Sequence, residues 1–392
     1  MIASCERARA LLDFLRGRRE HMVDLLVAIA SLESPTDKPE TQYPVQEHLT
    51  EALEERGFFV RRIPGRCTGG HLFARPLDRK KGRPGQLLVG HSDTVWPVGT
   101  LHNMPVLVDD FHVRGPGTFD MKAGLVQGIF AIEALNALKL EPPATPVWII
   151  NSDEEIGSPE SQRWVRLIAR HVERAFVLEP AFGLDGKLKT ARKGFARFKV
   201  NVKGIPAHSG LDSAAGASAI EELSQIILQL HALTDQERGT TVNVGTIKGG
   251  TRPNVIAATA SCEVDVRACT SKDLERLSQA IFDLKPRSVG TKVDIDRVLS
   301  VPPLEKTGRN RALWAKAVIA GQCLGIELQE FTSGGGSDGN TTSQFTATLD
   351  GLGAIGDGAH ALHEGIVIES MVERAALLAE LLMAPVASSL QQ

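Results

Sequence analysis

The chain has 392 residues, 42% hydrophobic and 23% charged; that is enough chain for two hydrophobic cores, in an ordinary globular composition. Its 44 basic and 47 acidic residues leave a formal charge of −3, so no single-sign field is available to attract nucleic acid or an anionic membrane. No run approaches the roughly 20 apolar residues of a membrane span, and the charged start at Glu6, Arg7 and Arg9 has no apolar h-region. The expectation is a soluble, cytoplasmic protein.

In chain order, apolar residues first recur at helical spacing: Leu11, Leu12, Phe14 and Leu15, then Met22, Leu25, Leu26 and Ile29, which predicts helices up to about residue 56. Short apolar runs follow that read as strands: Phe58 to Ile63, Leu87 to Val89, Val147 to Ile150 and Phe176 to Leu178. Helical patterns at Ala123 to Leu138 and Ser161 to Ala169 separate several of them. Strand and helix in alternation predict an α/β fold with a mostly parallel sheet and helices on both faces. From about Lys189 the rhythm changes. Phe195, Phe198, Val200 and Val202 mark a strand, followed by a helix from Ala215 to Leu233, strands at Thr241 to Ile247 and Val255 to Val266, and a helix from Leu274 to Phe282. This order predicts an α+β insert over 189–302 between two parts of a larger domain, 1–188 and 303–392. The first pattern resumes near Asn310 and ends in a helix from Met371 to Leu382. The five cysteines (Cys5, Cys67, Cys262, Cys269, Cys323) are scattered, odd in number and never in a C-x-x-C pair, which argues against a disulfide framework and a thiolate zinc site.

Five segments bring carboxylates or histidines to the ends of apolar runs. In Leu87-Leu88-Val89-Gly90-His91-Ser92-Asp93-Thr94 the run delivers His91 and Asp93 to its C-terminal end, where open α/β sheets bind ligands. Residues two apart in an extended chain share a face, so Asp93 can orient His91 or act on a group beside it. In Gly117-Thr118-Phe119-Asp120-Met121-Lys122, Asp120 stands where a helix starts, a place that a simple N-cap also explains. Asp153-Glu154-Glu155 sets three carboxylates directly after an apolar strand, an arrangement that is costly without a compensating cation. Leu178-Glu179-Pro180 ends another strand with a carboxylate, and Gly358-Ala359-His360-Ala361-Leu362-His363-Glu364 carries two histidines. Imidazole with carboxylate and no thiolate suits zinc, cobalt or manganese, and a shared carboxylate suits a two-metal hydrolase.

With these segments in this order, the sequence resembles the M20 family of metallopeptidases and, within it, the glutamate carboxypeptidase G2 group; the likeness extends to Gly204-Ile205-Pro206-Ala207-His208-Ser209-Gly210. The resemblance implies a zinc-peptidase catalytic domain and an inserted lid and dimerisation domain. It implies that His91 and Glu179 bind one zinc, Glu155 and His360 the other, that Asp120 bridges them, and that the Asp120–Met121 peptide is cis. Glu154 becomes the general base that takes a proton from a water activated by the two ions, Asp93 orients His91, and Asp153 reads as structural. Glu364, four places after His360, favours His360 over His363 as the ligand. His208 would stabilise the oxyanion in a partner's site, making the homodimer part of the mechanism. Asn254, Arg267 and Gly335, the last in the loop 334–339, match substrate-gripping positions. Ser337 in that loop stands where folate-cleaving members carry threonine.

The implied reaction releases a C-terminal amino acid, with glutamate as one candidate, from an N-acyl or peptidyl substrate. An N-acyl-amino-acid deacylase of the acetylornithine or succinyl-diaminopimelate type would use the same residues. An inactive binding protein on this fold is the reading of another class, and the intact set of ligands and base argues against it.

Overall fold

Two strands of the chain are apolar almost throughout, and both lie in the interior of one sheet. In this computed structural model, which describes residues 2–386, every residue of Thr145–Asn151 is buried, as are all but the first of Gly85–His91. Continuous burial of this kind belongs to strands covered on both faces. The sheet has six strands in the order Phe58–Ile63, His71–Pro76, Thr145–Asn151, Gly85–His91, Val172–Val177, Ala347–Leu349. The first three pair antiparallel and the remaining neighbours run parallel. His91 is in register with Asn151, and Val89 with Val177. Three parallel strands therefore end at one edge, just where the chain carries His91, Asp153-Glu154-Glu155 and Glu179.

Side chains on the two sheet faces enter two different clusters. Leu88, Trp148, Ile150 and Phe176 pack with the N-terminal helices and with Ala123–Ala137 and Ile368–Leu382. Leu87, Val89, Ile149 and Val177 pack instead on Val165 of Gln162–Ala169. The helix Ala123–Ala137 buries 12 of its 15 residues, because it is held between the sheet and the helix Ile368–Leu382. Its glycines allow that approach: a Cβ on Gly124 would collide with the Leu178 carbonyl, and one on Gly128 with the Trp148 ring.

The described residues form two compact units. One comprises the chain up to Thr190, with 306–332 and the chain from Ser337 onward; the other comprises Ala191–Glu305 with Ser333–Gly336. The second unit has its own antiparallel sheet, in the order Thr241–Gly249, Thr259–Ala268, Gly194–Lys203, Lys292–Val301. Along Gly194–Lys203 buried and exposed positions alternate, and the inward residues Phe198, Val200 and Val202 meet Leu223, Ile226, Leu277 and Ile281 of two helices. Those helices are capped by Ser218, which accepts from the Glu221 N–H at 3.2 Å, and by Thr270, which accepts from the Asp273 N–H at 3.1 Å.

Several elements differ from the sequence expectation. The helix expected from Ala215 begins at Ala219, because Ser218 caps it. The strand expected from Val255 begins at Thr259, after the loop that contains Pro253. Lys292–Val301, unpredicted, is an edge strand whose alternate positions are charged and exposed. Cys5 and Cys323 form a disulfide, contrary to the expectation from cysteine spacing; the pair is 318 residues apart in sequence, and helix packing alone brings it together.

Gly124→Ala is expected to push the helix away from Leu178, the residue before Glu179. Overpacking of this kind costs about 1–3 kcal/mol. The variant should melt at lower temperature and bind divalent metal more weakly than the wild type; unchanged melting and metal titration would contradict this account of the helix–strand contact.

Candidate metal centre and active site

The parallel strand ends and two glycine-containing loops place five side chains in two overlapping groups. The donor atoms of His91, Asp120 and Glu179 lie within 4.8 Å of one another, and so do those of Asp120, Glu155 and His360. Asp120 belongs to both. Its Oδ1 is 3.2 Å from His91 Nε2 and its Oδ2 is 3.5 Å from His360 Nε2, so each carboxylate oxygen faces a different imidazole. Glu179 Oε1 is 3.6 Å from His91 Nε2, and Glu155 Oε2 is 3.2 Å from His360 Nε2. His363 turns away, 3.7 Å from Asp357, and is largely exposed.

The other ring nitrogen of His91 faces Asp93, with Nδ1 3.0 Å from the Asp93 carbonyl oxygen and 3.5 Å from its Oδ1. The Asp93 carboxylate is fully buried. It accepts from Thr36 Oγ1 at 2.7 Å and from the backbone N–H groups of Glu154 and Glu155 at 3.4 and 3.3 Å. Asp93 thereby meets the His91 ring through its carbonyl and holds the start of the Glu154-Glu155 turn through its carboxylate. Asp153 faces away from this site and accepts from the N–H groups of Glu160 and Ser161 at the start of a helix.

The loop that carries Asp120 is held by Glu364. Its buried carboxylate accepts from the backbone N–H groups of Gly117, Phe119 and Asp120, each at 3.0 Å, and from Trp96 Nε1 at 2.7 Å. The Asp120–Met121 peptide is cis, and His360 has a positive φ of 61°. The sequence offers Glu364 only as a marker for His360; its role as the anchor of the Asp120 loop depends on contacts about 245 residues away in the chain.

The donor chemistry fits divalent ions. Three carboxylates and two imidazoles with no thiolate suit zinc or another borderline ion. Glu155 Oε1 is buried without a hydrogen-bond partner, and an orphaned carboxylate oxygen calls for a cation. The pKa shifts carry the same signature. Burial opposes charge on His91, but its contacts with Asp120, Asp93 and Glu179 outweigh that and hold the imidazolium well above its ordinary range. Asp120 and then Glu155 push His360 up to about 10. Burial, followed by Glu179, pushes Glu154 well above the usual carboxyl range, and burial raises Glu155 to about 7.

His208, Asn254, Arg267 and Gly335 all belong to the second unit. Within it, the His208 segment bridges to Val255, and the Ser209 N–H donates to the Asn254 carbonyl at 3.2 Å. Arg267 donates through Nε to Asp265 at 2.9 Å and through Nη1 to the Gly334 carbonyl at 2.8 Å, beside Gly335. Ser337, in the first unit, spends its hydroxyl on Asp350 and on capping a short helix.

An α/β sheet whose strand ends gather imidazoles and carboxylates around one shared aspartate defines a metal-dependent hydrolase. Residues 190–284 match the family model described as the M20 peptidase dimerisation domain. Over 315 residues the chain is 31% identical to a probable carboxypeptidase of Paracoccidioides brasiliensis, a match covering 72% of this chain and 69% of the relative. The chain belongs to the M20 family of metallopeptidases. It is also 25% identical to carboxypeptidase G2 of a Pseudomonas species, over 96% of this chain and 92% of that protein. With succinyl-diaminopimelate desuccinylase of Methylobacillus flagellatus it shares 28% identity over 82% and 88% of the two chains. Its fold is that of the aminopeptidase PepT from Bacillus cereus (TM-score 0.77, 20% identity, 93% and 98% of the two chains). The same fold occurs in a dinuclear metal-binding M20 peptidase from Bacillus subtilis (TM-score 0.68, 16% identity, 94% and 98%). No helix among the described residues is long and apolar enough to cross a membrane.

Removing the Glu364 carboxylate leaves three backbone N–H groups and an indole N–H without their acceptor. Each buried orphan costs about 1–3 kcal/mol, so Glu364→Ala should unfold at clearly lower temperature. It should also bind zinc at least about tenfold more weakly, as read by isothermal titration. Wild-type melting and affinity would show that Glu364 does not shape the centre.

Proposed function

We propose that the enzyme releases a free amino acid from the carbonyl end of an N-acyl or short peptidyl group, with two zinc ions as its working metals. One ion would be held by His91, Asp120 and Glu179, the other by Asp120, Glu155 and His360. The observation that carries this reading is the placement of Asp120, one oxygen toward each histidine. When bound, two such ions polarise the amide carbonyl and lower the pKa of a water toward neutrality.

The chain's own groups supply the rest. Glu154 accepts the proton of the attacking water and returns it to the departing nitrogen, a general base and then a general acid. Asp93 holds the His91 ring through Nδ1 and so fixes which nitrogen faces the ligand cluster. In the second unit, Arg267 presents a guanidinium suited to a substrate carboxylate, with Asn254 and the backbone of Gly335 beside the same substrate. His208 of one copy donates to the oxyanion that develops in the site of a second copy. The dimerisation-domain match supports a homodimer. A second reading, deacylation of the succinyl-diaminopimelate type, rests on the desuccinylase relatives and uses the same machinery.

Zinc-loaded protein should release amino acid from a panel of N-acyl amino acids and dipeptides. Glu154→Gln should lower kcat by at least about a hundredfold while metal analysis still finds two ions per chain. Substantial turnover in that variant would remove Glu154 from its role.

Light scattering should give twice the mass of the chain. His208→Ala should lower kcat by about a hundredfold or more. An equal mixture of His208→Ala and Glu154→Gln chains, allowed to exchange, should regain up to about a quarter of wild-type activity, because half the dimers then hold one complete site. A monomer, or a mixture no more active than its parts, would refute the exchange of His208 between copies.

A further inference from the structure

The strand that leads to Glu179 begins at Val172, and beside this start, away from the metal-ligand cluster, lies a cleft of about 420 Å³ wholly within the first unit. Its walls are the first residues of that strand, the segment 345–347 and one face of the helix Gly308–Leu324. Arg309, Ala312, Leu313 and Lys316 line that face, at the spacing that stacks side chains along one side of a helix. Three cations meet one acid here: Arg174, Arg309 and Lys316 against Glu173. Arg174 is only 3% exposed. It spends Nε on Gln86 Oε1 at 2.9 Å and Nη2 on the Leu382 and Ala384 carbonyls at 3.2 and 2.8 Å. Its Nη1 reaches only the Pro385 carbonyl, at 3.5 Å, and Lys316 Nζ donates to the same oxygen at 2.6 Å. Two cationic heads thus share one carbonyl dipole.

Arg309 likewise donates to a carbonyl, that of Ser343, and no ion pair joins any of the three cations to a carboxylate among the described residues. Elsewhere in the same unit such charge is cancelled locally: Lys80 and Arg83, in another cleft, share the Glu141 carboxylate. The uncancelled charge is felt. Burial brings Arg174 down to about 10, and burial, then the Arg174 charge, lowers Lys316, although Glu173 acts the other way on both. Like charges in a partly desolvated cleft are costly unless an ion of opposite sign compensates them. Three positive charges against one negative leave two to be met. A phosphate monoester carries about −1.5 to −2 near neutral pH, and its oxygens suit guanidinium forks; a single carboxylate would leave one cation unmet. The rest of the wall is apolar, with Leu313 and a half-buried Phe345 ring that packs under Arg170 at 4.8 Å.

We propose that this cleft binds a small phosphate monoester with an apolar or aromatic body, the phosphate among Arg174, Arg309 and Lys316 and the body against Leu313 and Phe345. The site takes no part in the reaction at the metal-ligand cluster and does not rest on the reading of that cluster.

The test titrates phenyl phosphate and benzoate by calorimetry into zinc-loaded protein and into a double variant, Arg309→Gln with Lys316→Gln. Both side chains lie outside the core, so the variant should keep its zinc content and its own melting temperature. Wild-type protein should bind phenyl phosphate at least about tenfold more tightly than benzoate. The double variant should lose one binding event for phenyl phosphate or weaken it about tenfold or more. Phenyl phosphate in large excess should raise the melting temperature of the wild type by about 2 °C or more, and that of the variant by clearly less. Phosphate oxygens also suit zinc, but binding there is common to both proteins. Equal binding by the two proteins therefore overturns the proposal. So does benzoate that binds as tightly as phenyl phosphate, or the lack of any saturable binding. Should the double variant lose zinc or melt early, Lys316→Gln alone decides: weaker phenyl phosphate binding supports the site, and unchanged binding overturns it.

Discussion

Carboxylates gathered in one poorly hydrated pocket repel one another, and the active edge of this enzyme is organised around that repulsion. Two unit charges about 4 Å apart interact by roughly 4 kcal/mol in a medium typical of a protein surface. Asp120, Glu154, Glu155 and Glu179 crowd one edge of the sheet, and the positive charge facing Asp120, Glu155 and Glu179 comes from two imidazoles and Lys189. Burial raises Glu154 and Glu155, while the imidazoles of His360 and His91 hold Asp120 below the usual carboxylate range. Divalent ions would resolve the same conflict with more charge at the same place, and the imidazole and carboxylate donors suit them.

Holding that conflict in place requires the rest of the first unit. The sheet register brings His91 level with Asn151, two residues before Asp153, and sets the strand that leads to Glu179 on the other side. Asp93 ties the His91 ring to the Glu154-Glu155 turn through backbone N–H groups, and Glu364 ties the Asp120 loop to the His360 loop in the same way. Both are carboxylates, yet neither adds to the ligand set, because backbone donors neutralise them locally. Two buried acids thus act as fasteners for the acids of the two ligand-type clusters.

Much of this was legible in the sequence because the strands that matter are buried on both faces and read as apolar runs, which leaves the residue after each run conspicuous. His91, Glu154, Glu155 and Glu179 announce themselves in that way. Asp120 was ambiguous with a helix cap from its local sequence, and only the family resemblance gave it a bridging role; the fold sets its two oxygens toward two histidines. Lys292–Val301 escaped notice because an edge strand with exposed charged positions carries little apolar signal. The Cys5–Cys323 pair and the Glu364 anchor were invisible for another reason. Both join segments hundreds of residues apart, and nothing in local periodicity records which distant backbone an acid or a thiol will meet.

The same distinction separates what this fold can change easily from what it cannot. Phe119 and Ala359 line the cleft beside the metal cluster, but each is adjacent in sequence to a ligand-cluster residue, Asp120 or His360. Altering their backbone would move a residue of the clustered donor groups. Phe182 and Leu184 stand on a turn closed between Phe182 and Lys187 and containing Gly183 and Gly186, both with positive φ, and this turn supplies no donor to either ligand group. Its shape is kept by its own hydrogen bonds and by Arg374 rather than by the sheet register. Side chains on that turn can therefore be exchanged without displacing a residue of either ligand-type cluster.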